Sequence, residues 1–229
     1  MNQIQAVSFD ADQTLWDFGD VYRRALATTI AAMVERGDAT ADQATPETLK
    51  RIRDEVVLEH RGAAHNLEVV REQSFRVFLE GIGHAAAAEA AAELVDIYMD
   101  VRFGSIELYP EVVEVLGRLK SRYRIGLLTN GNTYPERCGL PGVFDAEVLG
   151  PSHGFEKPDP RAFETLAAAL GLECASIMHV GDDWDDIEGA NAVGAVSVFM
   201  NRTAASPAFA ADADYEVTNL VEVEALLSS

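Results

Sequence analysis

Three short apolar runs restrict this chain more than any other feature, because each stops at residues that can do chemistry. Residues 4–9 end at Asp10, residues 124–128 at Thr129-Asn130, and residues 176–180 at Gly181-Asp182. Apolar runs of this length, bounded by turn residues, suit buried strands. From Pro110 onward such runs alternate with helical stretches. Helices are predicted over 110–121, from Asp159-Pro160 to 170, over 185–193 and over 219–227, with further strands at 146–149 and 195–200. Strands alternating with helices of this size predict βαβ units on a parallel sheet: an α/β, doubly wound, Rossmann-like core. In an open parallel sheet, ligands bind beyond the carboxyl ends of the strands, where the strand order reverses. The three polar strand ends are therefore expected to face one crevice.

The alternation is interrupted once. Residues 19–36 carry apolar side chains at 21, 25, 26, 30, 33 and 34, the spacing of one helix face. Thr45-Pro46-Glu47 reads as an N-cap, a first-turn proline and a first-turn acid, with a helix to His60. Two more helices are predicted over 67–80 and 84–102, the second rich in alanine, the best helix former. No strand signal appears between them. The expected organisation is a core of residues 1–18 and 104–229, interrupted by an all-helical insert of residues 19–103.

Charge decides which partners fit. The chain of 229 residues has 38 Asp and Glu against 18 Lys and Arg, a formal net charge of −20. Such a surface repels nucleic acid and anionic membranes, so neither is an expected partner. An anionic substrate needs a local cation or a metal, and the only lysines are Lys50, Lys120 and Lys157. Cys138 and Cys174 form no CxxC pair, which argues against a disulfide framework or a cysteine zinc site. No run of 18 apolar residues and no basic, apolar leader are present, so a cytoplasmic protein is expected.

The first cluster is Asp10-Ala11-Asp12-Gln13-Thr14. In extended chain, residues two apart point the same way, so one carboxylate can attack while the other moves a proton. An isolated DxD is more often a solvated turn. An EF-hand loop does not fit, because its sixth position would be Leu15 and its twelfth Val21. The second cluster, Gly181-Asp182-Asp183-Trp184-Asp185-Asp186, crowds four carboxylates at a strand end. A hard cation such as Mg²⁺ would relieve their repulsion, although a helix start also welcomes acids. Lys157 lies just before a helix start, where it could neutralise carboxylates and a phosphoryl group, or be a surface loop lysine. Thr129 and Asn130 could donate to phosphate oxygens and Gly131 could admit close backbone approach; Asn-Gly is equally a common turn pair.

In this order the motifs FDADQT, LLTNG, the lysine of EKPDP, and GDDWDD followed by IEGA resemble those of the haloacid dehalogenase superfamily. The stretch from LLTNGN to HVGDD is similar to bacterial phosphatases of flavin mononucleotide and of phosphorylated ribitylaminouracil. The resemblance implies a Mg²⁺-dependent phosphatase of a small flavin, nucleotide or sugar phosphate, acting as a monomer or a homodimer. It implies Asp10 as nucleophile, forming an aspartyl-phosphate, and Asp12 as the acid that protonates the leaving alcohol and then activates water. Thr129, Asn130, Gly131 and Lys157 would hold the phosphoryl group. Mg²⁺ would be bound by the Asp10 carboxylate, the Asp12 carbonyl and Asp182, with Asp186 supporting metal-bound water or pairing with Lys157. Asp183 is a lesser candidate, since relatives often carry Ser there, and Gln13 stands where Gly is commonest. The helical insert would be a cap that closes over the site and sets specificity.

Two other functions compete. A 2-haloacid dehalogenase needs no acid at position 12, because halide leaves without a proton. A non-enzymatic Mg²⁺- or phosphate-binding regulatory module would be about half as long. Gly150-Pro151-Ser152-His153-Gly154 matches GxSxG but lacks the strand–turn–helix setting of a nucleophile elbow. No GxGxxG follows the first strand. His60 and His65 are expected at the surface, and Trp16 and Trp184 in the core.

Overall fold

The computed structural model describes residues 3–59 and 66–228, and the chain divides into two compact units. The first comprises residues 1–17 and 107–229, the second Phe18–Ile106.

The first unit is a six-stranded, all-parallel sheet flanked by helices. Its strands are β1 (Ala6–Phe9), β2 (Arg124–Thr129), β3 (Ala146–Leu149), β4 (Ile177–Gly181), β5 (Val196–Met200) and β6 (Tyr215–Val217). They lie in the order β3-β2-β1-β4-β5-β6. β1, flanked by β2 and β4, is the strand from which the order runs outward both ways, which makes its carboxyl end the switch point. All four of its residues are buried, as a strand covered on both faces requires. β6, a three-residue edge strand, carries no sequence signal because Tyr215 and Glu216 are exposed.

The covering helices are α5 (Val112–Lys120), α7 (Pro160–Leu170), α8 (Trp184–Ala192) and α9 (Leu220–Leu226). Between them, α6 (Gly150–His153) is a four-residue helix that takes up the GxSxG stretch, and Ser152 is exposed on it. Phe163 and Leu166 of α7 pack with Leu128, Val148, Ile177 and Ala190 into one continuous core. Asp159 caps α7 by accepting from the Arg161 N–H, and Pro160 follows at the first helical position.

The second unit consists of α1 (Phe18–Arg36), α2 (Pro46–Glu59), α3 (Leu67–Gly81) and α4 (Ala87–Gly104). Thr45 accepts from the Thr48 N–H at 3.2 Å and starts α2, and Asn66 starts α3. α4 buries Ala87, Ala90, Ala91 and Leu94, and the three small alanines let α1 and α3 pack closely on it. His60 and His65 lie outside the described residues. No helix among the described residues is long and apolar enough to cross a membrane.

Candidate active site

The three central strands deliver the reactive residues to one level. Asp10 follows β1, and its N–H donates to the Val180 carbonyl, carrying the β1–β4 ladder one step further. Thr129 ends β2, and Asp182 follows Gly181 at the end of β4. The Lys157 side chain is buried beside them. Its Nζ lies 2.5 Å from Asp10 Oδ1 and 2.6 Å from Asp186 Oδ1. Asn130 holds the lysine in place. Its Oδ1 accepts from the Lys157 N–H at 2.7 Å, and its Nδ2 donates to the Lys157 carbonyl at 3.0 Å. The amide is thus committed to clamping the lysine loop, with its remaining reach toward Asp185 Oδ2 at 3.5 Å.

Asp186 closes the network. Its Oδ1 also meets His179 Nε2 at 2.9 Å, and its Oδ2 accepts from the Asp183 N–H at 3.2 Å. An ionised carboxylate only accepts, so His179 donates from Nε2 and accepts from the Ser8 hydroxyl at Nδ1, 2.8 Å away. Ser8 and His179 are direct partners in the β1–β4 register. Gly181 is required here, because a Cβ would overlap the Asp186 carboxylate. Asp183 is exposed and forms a capping box with Asp186 at the start of α8.

Three carboxylates cluster beside one ammonium, which contacts two of them. Oxygens of Asp10, Asp182 and Asp186 lie within 4.8 Å of one another. Burial, aided by the Asp186 charge and opposed by Lys157, pushes Asp10 up to about 7. Burial and the charges of Asp10 and Asp186 push Asp182 up to about 8. Burial also works to raise Asp186, but the Lys157 charge and the His179 hydrogen bond outweigh it and hold its carboxyl low. Lys157 is held above its ordinary value against its burial by Asp10 and Asp186. The set is all oxygen and short of positive charge, which suits a hard divalent cation. Asp10, Asp182 and Asp186 can therefore hold a metal.

The loop after β2 carries hydroxyls. Thr129 Oγ1 accepts from the Gly131 N–H at 3.0 Å. A Cβ on Gly131 would sit 3.3–3.4 Å from Thr129 Oγ1, Thr133 Oγ1 and Asp12 Oδ2, so these groups surround the glycine. Asp12 is held by the Trp16 indole, whose Nε1–H donates to Asp12 Oδ1 at 3.0 Å.

The model for haloacid dehalogenase-like hydrolases matches residues 4–194. The chain belongs to this family. It is 32% identical to glyceraldehyde 3-phosphate phosphatase of Methanopyrus kandleri, over 87% of this chain and 84% of that one. It is 27% identical to the 5-amino-6-(5-phospho-D-ribitylamino)uracil phosphatase YigB of Escherichia coli, over 83% and 80% of the two chains. Among solved structures it resembles a 2-haloacid dehalogenase from Pseudomonas syringae, with a TM-score of 0.84, 26% identity and 99% of each chain covered. The family's α/β fold is the one expected from the strand ends.

Several residues of this family member escaped the sequence reading. His179 sits inside a strand that reads as plainly apolar, and only its register opposite Ser8 gives it a partner. Its ring packs edge-on against Phe163 at 5.0 Å. Thr133 is buried, and its hydroxyl has no partner among the described residues. Arg202 donates to the Thr14 carbonyl from Nε and Nη2, at 3.0 and 2.9 Å, and stacks 3.7 Å from the Tyr109 ring centroid. It thereby ties down the loop that carries Asp10 and Asp12. Trp16 is buried as expected, but Trp184 is 46% exposed. As the first residue of α8, Trp184 follows the exposed cap residue Asp183, at a helix end rather than on its packed face.

Proposed function

We propose that the chain is a Mg²⁺-dependent phosphatase acting on a small phosphorylated metabolite through an aspartyl-phosphate on Asp10. The observation that carries this reading is Asp12. It stands two residues beyond Asp10, oriented by the Trp16 indole and close to Gly131 and Thr129. An alkoxide leaving group needs a proton in the transition state, and a halide does not. The phosphatase relatives support the same reading.

An Asp10 carboxylate oxygen attacks phosphorus as the ester P–O bond breaks, and Asp12 gives its proton to the departing oxygen. Asp12, now ionised, takes a proton from water as that water attacks the same phosphorus. The Asp10–phosphorus bond breaks, and phosphate leaves. Thr129 and the Gly131 region receive the phosphoryl oxygens, while Lys157 offsets charge on Asp10 and on the transferring group. Asp10, Asp182 and the Asp12 carbonyl would hold Mg²⁺, with Asp186 behind them. When bound, the ion supplies positive charge against the carboxylates and the phosphoryl oxygens. The helical unit is the part that selects the substrate.

The test is phosphate release from flavin mononucleotide, nucleoside monophosphates, sugar phosphates and the phosphorylated ribitylaminouracil, with Mg²⁺ and with EDTA. Release is expected only with Mg²⁺, and Asp10→Asn should lower it by ~10³-fold or more, as loss of a nucleophile does. Turnover by a folded Asp10→Asn chain at the parent rate would remove Asp10 from the reaction. The likeness to a 2-haloacid dehalogenase structure favours a second reading. Halide release from a 2-haloacid, without phosphate release from any ester, would establish that one instead.

A further inference from the structure

The helical unit contains a second group of buried charges, well away in sequence from the motifs. A cavity of about 110 Å³ lies within this unit, and Arg53, Arg71 and Arg102 reach its wall from α2, α3 and α4. Arg71 and Arg102 are 8% and 4% exposed. The Arg71 guanidinium lies 4.4 Å from the Tyr98 ring centroid and 5.6 Å from that of Tyr22. Arg102 lies 5.3 Å from the Phe18 ring. Arg71 Nη2 makes one long hydrogen bond, 3.3 Å, to the Tyr98 hydroxyl. Its Nη1 has no hydrogen-bond partner among the described residues, and neither has the Tyr22 hydroxyl at the same cavity.

Arg53 has Asp54 beside it at 3.3 Å, whereas Arg71 lacks an acceptor for Nη1 among the described residues. A buried guanidinium N–H without a partner is costly, the more so in a charged group. Aromatic faces return part of that cost. In a chain with net charge −20, acids to pair with Arg71 are abundant, yet no carboxylate stands within ion-pair distance of it among the described residues. The fork of an arginine matches a carboxylate or a phosphoryl group, and Val70 and Met99 beside the rings give the cavity apolar walls. A volume of about 110 Å³ exceeds the ~30 Å³ share of one liquid water several times over, enough for an anionic head and a few carbons.

We propose that this cavity binds a small organic anion, a carboxylate or phosphoryl group on an apolar or aromatic body, with Arg71 as the central contact. The binding is a property of the helical unit and does not rest on the phosphatase reading.

Calorimetric titration of the full chain with benzoate and with its neutral counterpart benzamide tests the binding. Benzoate is expected to bind about tenfold or more tightly than benzamide, the size of one charge-assisted hydrogen bond. Arg71→Gln should erase that preference, and Arg161→Gln, a surface change, should not. Arg53→Gln serves in the same way if Arg71→Gln does not fold. Undetectable benzoate binding, equal binding of the two probes, or a preference that survives both Arg71→Gln and Arg53→Gln overturns the proposal.

Discussion

The two units bury charge in opposite ways. In the α/β unit Lys157 touches two carboxylates, Asp186 accepts from three groups, and His179 uses both ring nitrogens. In the helical unit Arg71 lies against aromatic rings and keeps a nitrogen unpaired. A closed network holds its members in one geometry, as a reaction centre needs. An open one keeps donor capacity for something that arrives later. The contrast teaches that buried charge can serve positioning in one unit and recognition in the other.

Stability separates the two most sharply. Lys157→Met leaves buried carboxylates facing one another, and breaking a buried ion pair typically costs about 3–5 kcal/mol. Arg71→Gln removes a charge that makes no ion-pair contact among the described residues, so its cost should be no more than about 1–2 kcal/mol. Denaturant unfolding of both variants checks this, and equal costs would end the distinction between closed and open networks. In the same α/β unit, Asp12→Ala is expected to slow phosphate release by ~10²–10⁴-fold with little change in stability, the usual worth of a general acid. Parent-like turnover in that variant would take Asp12 out of the chemistry and reopen the dehalogenase reading.

A gentler probe is pH. Asp10 and Asp182 are held at about 7 and about 8, above the ordinary 3.8. A carboxyl raised on folding contributes stability that is full below its unfolded value and is lost as pH rises through its folded value. The chelated protein should therefore melt at lower temperature as pH rises from about 5 to about 8, and Mg²⁺ should restore more at the upper end. A chelated protein that becomes more stable over that interval would show that the carboxylate crowding is not what the geometry implies. The smallest effect concerns Gln13, whose φ of 62° lies in the left-handed region. That region favours glycine, which has no Cβ. Gln13→Gly should raise stability by less than about 1 kcal/mol, since relief of strain is partly offset by a freer unfolded chain. A clear loss of stability would mean that the glutamine side chain contributes more than its backbone costs.

Much of the candidate site was legible because the sheet reports its own geometry. An apolar run that stops at Asp10, Thr129 or Asp182 marks a strand end, and parallel strands bring such ends to one edge whatever the intervening chain does. The helical insert was legible as helices through its apolar spacing and its Thr45 cap. Its arginines were not. Arg53, Arg71 and Arg102 stand on three different helices, and in a one-dimensional pattern each reads as a solvated residue. The edge strand β6 and the exposure of Trp184 were hidden for a related reason: short or terminal positions carry too few residues to show a period.

What the sequence determined by itself was the alternation of strands and helices, the place of the helical insert, and the cluster of acids with one lysine. These follow from local spacing and from the scarcity of lysine in an acidic chain. Only the tertiary structure decided how the acids differ. Register placed Ser8 opposite His179 and so oriented the ring toward Asp186. The Asn130 amide took the lysine backbone, and the Trp16 indole took Asp12. Hydrogen-bond direction and burial depend on neighbours distant along the chain, and they decide which carboxylate is paired and which is left for a cation.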